Sequence, residues 1–93
     1  MRSIELEVRT ESGLHARPAA EFVRAAAGFE STVRLANVTL GRPAVDAKSI
    51  IGVLGAGVES GHFVRVEADG TDEERAIGTL GELLARPDGP SGH

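Results

Sequence analysis

A chain of 93 residues has room for one core and one site, and its 41% apolar and 26% charged residues are the composition of a folded domain. No run approaches the roughly 18 apolar residues of a membrane helix, so membrane insertion is not expected. A formal charge of -4 with three Phe, no Trp, no Tyr and no Cys argues against nucleic-acid binding, disulfides, a thiolate nucleophile and sulfur-ligated zinc.

Ile4, Leu6 and Val8 alternate with Glu5, Glu7 and Arg9, the period-two pattern of a strand with one wet face. This opening lacks the apolar stretch and cleavage site of a signal peptide, and a cytoplasmic location is expected. After Gly13, Ala19, Phe22, Val23 and Ala26 recur at helical spacing, predicting a helix from about Ala16 to Ala27 with Gly28 as a left-handed stop. Val33 with Leu35, then Val38 with Leu40, predict two short strands in tight succession, closed by Gly41-Arg42-Pro43. From Ser49, the residues Ile50, Val53 and Leu54 mark a helix that Gly52, Gly55 and Gly57 keep short. His62 to Ala68 alternates again, with Val64, Val66 and Ala68 inward. Thr71-Asp72-Glu73-Glu74 has the form of a capping box that opens a third helix using Ile77, Leu80 and Leu84 and ending at Arg86-Pro87. The expected division is a domain over 1–86 and a mobile tail over 87–93.

Strands with one apolar face each, in the order strand, helix, strand, strand, helix, strand, helix, predict an α+β open-faced sandwich. A four-stranded antiparallel sheet would carry three helices on one face and expose Glu5, Glu7, Arg9, Arg34, Arg65 and Glu67 on the other.

The chemistry concentrates in Gly13-Leu14-His15-Ala16-Arg17-Pro18-Ala19-Ala20. Proline has no amide hydrogen, and only the first helical turn does not miss it, so Pro18 puts His15 at or next to the N-cap. Free amides and the positive end of the helix dipole there favour an anion, and a neutral imidazole facing them can become phosphohistidine. Arg17 offers a planar cationic fork for phosphate oxygens, although the spacing leaves its pose open.

This stretch resembles the active-site motif of HPr, the histidine phosphocarrier family of the bacterial sugar phosphotransferase system. The likeness continues through Phe22-Val23, Gly28-Phe29, Ala47-Lys48-Ser49-Ile50-Ile51-Gly52-Val53, Gly57 and Gly61, nearly all of residues 4 to 85. The resemblance implies the same sheet and helices, phosphate on Nδ1 of His15, Arg17 as its partner, enzyme I as donor and enzyme IIA domains as acceptors, with no cofactor. It places Ser49 at the family's regulatory serine, the substrate of a dedicated kinase in many Gram-positive bacteria, where Ser49 alone reads equally well as an N-cap. Ala16, Ala20, Arg24, Lys48, Ile50, Ile51 and Leu54 are the candidate partner-binding residues: exposed apolar side chains beside the site, and basic ones to steer acidic partners. A monomer is expected. The competing readings are a regulatory adaptor that binds a kinase/phosphorylase, transporter or transcriptional regulator through the same face, and a paralogous carrier of a nitrogen or dihydroxyacetone branch.

The chain departs from typical members in a segment from Val33 to Ser49 that looks about three residues longer, and in Ala27 where a second basic residue is common. Gly52-Val-Leu-Gly-Ala-Gly57 lacks the lysine of a phosphate-binding loop. The sequon Asn37-Val38-Thr39 reads as incidental, the three histidines are too dispersed for a metal site, and His62 and His93 read as surface residues.

Overall fold

The structure, a computed structural model, describes residues 1–87. Its elements are β1 (Arg2–Glu7), α1 (Ala16–Ala27), β2 (Thr32–Asn37), β3 (Val45–Asp46), α2 (Ile50–Gly55), β4 (Phe63–Asp69) and α3 (Glu73–Ala85). The strands form one antiparallel sheet in the order β1-β4-β2-β3. Three helices accompany this sheet, so the expected open-faced sandwich is present. The final residues of the expected tail lie outside the described residues.

Alternation decides which way each strand faces. Val33, Leu35, Val64, Val66 and Ala68 are buried, and Ala19, Phe22 and Ala26 of α1, Val53 of α2 and Ala76, Ile77, Leu80 and Leu84 of α3 join them in one core. On the wet side the register sets Glu5 opposite Arg65 and Arg34 opposite Glu67. Arg65 reaches Glu5 at 3.4 Å and Glu67 at 3.2 Å, cross-strand and same-strand pairs suited to an open face. Gly81 lets α3 approach β1 closely, since a Cβ there would lie 2.6 Å from Ile4 Cδ1.

Three local expectations are corrected. Val38 and Leu40 are not strand residues: they sit exposed in a turn, and the strand that pairs with β2 is β3. The chain turns there because the amides of Val38 and Thr39 both donate to the Phe63 carbonyl, while the Asn37 side chain accepts from the Leu40 amide at 3.1 Å. The N-cap of α3 is Asp72, not Thr71, and Glu73 rather than Glu74 reaches back to the Gly70 amide, at 3.0 Å. Gly28 ends α1 with right-handed angles, φ -77° and ψ -7°, its amide and that of Phe29 closing a final tight turn on Ala25 and Ala26.

Candidate phosphoacceptor site

His15 is the N-cap of α1, in extended conformation with φ -113° and ψ 157°. Ala16 after it has φ +43°, in the left-handed region that a residue with a Cβ rarely adopts. The ring of His15 does not cap its own helix. Among the described residues no acceptor takes the amides of Ala16 and Arg17, and Pro18 has none to offer. The helix therefore starts with free donors beside a half-exposed imidazole, the arrangement that binds anions.

The ring is oriented by a residue that the sequence reading missed. Nε2 of His15 lies 3.0 Å from Oε2 of Glu59. An ionised carboxylate only accepts, so in the neutral imidazole Nε2 carries the hydrogen and Nδ1 keeps its lone pair. Glu59 stands in the connection between α2 and β4, which is fastened to the loop before α1. The Leu14 amide donates to the Val58 carbonyl at 3.0 Å, and the Gly61 amide to the Val8 carbonyl at 2.8 Å. Gly13, at φ +64°, passes so close that a Cβ would strike the Val58 carbonyl oxygen and lie 2.8 Å from the Cα of Glu59.

His62, expected as a surface residue, is half-buried and closes this connection from within. Its Nδ1 accepts from the Glu59 amide at 3.1 Å and from Asn37 Nδ2 at 3.2 Å, and its own amide donates to the Glu59 carbonyl. Asn37 also donates to the Ala56 carbonyl and is 1% exposed, which keeps the sequon amide out of reach. His93 lies outside the described residues. No group of three potential metal ligands forms among the described residues.

The remaining candidates lie on α1 and at or just before α2. Arg17 is exposed, and its side chain has no hydrogen bond or ion pair among the described residues. Ala16 is exposed and Ala20 half-buried, while Arg24 is exposed in the last turn of α1. Ser49 is the N-cap of α2, its Oγ accepting from the Gly52 amide at 3.0 Å. On α2, which packs against α1, Ile50, Ile51 and Leu54 are exposed by 39%, 76% and 41%, an apolar surface on one short helix. Lys48 is half-buried, and its ammonium donates to the Phe29 carbonyl at 2.8 Å, so it ties down the chain beyond α1.

The family described as "PTS HPr component phosphorylation site" matches residues 2–86. HPr-C-His from Thermoanaerobacter tengcongensis superposes with a TM-score of 0.84 at 40% identity, over 90% of this chain and 91% of that one; HPr from the same source has also been solved as a dimer. The phosphocarrier protein HPr of Bacillus anthracis gives a TM-score of 0.84 at 29% identity, over 89% and 95% of the two chains. A multiphosphoryl transfer protein of Haemophilus influenzae is 40% identical over 84% of this chain, which spans only 16% of that protein's length. The chain belongs to the HPr phosphocarrier family of the phosphotransferase system.

Proposed function

We propose that this chain takes a phosphoryl group from phosphorylated enzyme I onto Nδ1 of His15 and passes it to enzyme IIA domains during sugar uptake. The observation that carries this reading is the imidazole at the start of α1, with Nε2 engaged by Glu59 and Nδ1 left as the nucleophile. Arg17, whose side chain is unpaired among the described residues, is the fork that holds the phosphate oxygens once they arrive. The exposed Ile50, Ile51 and Leu54 form the apolar part of the docking surface, with Arg24 at its basic edge. A pure adaptor would need no histidine at this N-cap, so the carrier reading is preferred. Ser49, beside that surface, is the proposed position of regulatory phosphorylation.

Incubation with phosphoenolpyruvate and a purified enzyme I tests the central claim. The protein is expected to gain an acid-labile, base-stable phosphate, and His15→Ala to abolish it. Labelling of that variant at the wild-type rate would remove His15 from the role. Light scattering at the assay concentration checks that the active species is the single chain.

A further inference from the structure

Glu59 is exposed by 58%, far from α1 in sequence, and yet aimed at the ring nitrogen that does not receive phosphate. A carboxylate beside a phosphate site is an electrostatic disadvantage unless it serves the ring itself. Its backbone is held on both sides: by the His62 pairing within its own loop, and by Gly13 and Leu14 from the loop that leads into His15. The carboxylate thus belongs to a fixed loop and faces a fixed N-cap. We infer that Glu59 is a positioning residue for phosphoryl transfer, holding the hydrogen of His15 on Nε2 in both the empty and the loaded states; this rests on the carrier reading above.

The step shows why both directions benefit. In loading, the Nδ1 lone pair forms the new N–P bond while the donor's bond to phosphorus breaks and its electron pair stays with the donor. The Nε2 hydrogen does not move, so the loaded ring bears a positive charge that the Glu59 carboxylate balances. In unloading, the N–P pair returns to Nδ1, and the ring leaves as neutral imidazole because Nε2 still holds its hydrogen. Without that hydrogen an imidazolate would have to leave, a far poorer leaving group. The alternative tautomer, with hydrogen on Nδ1, has no lone pair where the phosphoryl group arrives.

Nitrogen-15 NMR of the His15 ring in wild type, Glu59→Ala and Glu59→Gln, paired with labelling rates, tests this. Phosphoramidate serves as a small donor, losing ammonia as its N–P bond breaks, so that ring effects are read without docking; enzyme I with phosphoenolpyruvate is the second donor. Wild type should show one dominant Nε2–H tautomer. Glu59→Ala should show a mixture, and loading from phosphoramidate and hydrolysis of the loaded form should both slow roughly three- to tenfold. Glu59→Gln, whose side-chain carbonyl still accepts from Nε2–H, should restore the tautomer and much of the rate, which a merely structural role for the carboxylate would not predict. An unchanged tautomer, or unchanged phosphoramidate rates, in Glu59→Ala overturns the role of Glu59. Failure of enzyme I to load wild type overturns the carrier reading instead, and the phosphoramidate and NMR comparison still decides what Glu59 does to the ring.

Discussion

Pro18 lacks an amide hydrogen, and that missing donor makes the start of α1 readable from four letters of sequence: the N-cap falls on His15. The backbone angles of the next residue are not readable. Ala16 holds φ +43°, which costs a residue with a Cβ about 1 kcal/mol or slightly more. Ala16→Gly is therefore expected to stabilise the fold by at most about 1 kcal/mol in urea denaturation, the relief being partly offset by the entropy of a more flexible unfolded chain. Arg17→Lys keeps the charge but replaces a planar fork with a point donor, so phosphoryl transfer should slow in rapid-quench measurements while folding stability stays within about 0.5 kcal/mol. Glu59 escaped the sequence reading because its meaning comes from loop docking: it lies 44 positions from His15, in a connection with no periodic pattern. His62 escaped for the same reason, since an isolated histidine at a strand start gives no sign of the amides that will surround its Nδ1.

Elements with long periodic patterns, α1, β1, β4 and α3, appear close to where alternation and helical spacing put them. β3 does not. It has two residues, too few for any periodicity, and the apolar pair Val38 and Leu40 imitates a strand while side chains of Asn37 and Thr39 fold that segment into a turn. From the loop that follows this turn, Arg42 returns to the Gly55 carbonyl at 3.1 Å, at the far end of α2. At the near end, Ser49 satisfies the Gly52 amide. Ser49→Ala should cost about 1 kcal/mol in denaturant unfolding, the ordinary effect of a lost cap. Ser49→Asp should retain the cap and leave labelling by phosphoramidate unchanged, yet slow loading from enzyme I, because the new negative charge stands beside Ile50 and Ile51 on the proposed docking surface. Equal enzyme I rates for Ser49→Asp and wild type would leave Ser49 as a structural cap alone.

Across the whole molecule, the pattern of single-faced strands was enough to imply the sandwich, but not what fastens its far end. Asp72 does so: its carboxylate accepts the amides of Glu30 at 2.8 Å and Ser31 at 3.0 Å, together with the Ser31 hydroxyl, joining the start of α3 to the approach to β2. The Ser31 hydroxyl first, and the Glu30 amide next, hold the carboxyl at about 2, below the usual carboxylate range. A carboxylate with a lowered folded-state value stabilises the fold above its unfolded value and loses that contribution as pH falls through the folded one. Urea midpoints should therefore fall between roughly pH 4 and pH 2 in wild type. Asp72→Asn should be less stable at pH 7 and show a shallower decline over that window, and an equal decline would assign acid sensitivity to other groups.

The strand order also bears on how the protein comes into being. β4 is the neighbour of both β1 and β2, so of the three strand pairings only the small one between β2 and β3 can form before residue 63 leaves the ribosome. The loop that carries Glu59 is held by Val8, just past β1, and by Leu14, before α1, and these find their places only when that late strand arrives. Contacts this distant in sequence form slowly and together. A chain that lacks β4 then displays His15 without the loop that sets Glu59 against its ring, the pairing on which the proposed phosphoryl transfer rests.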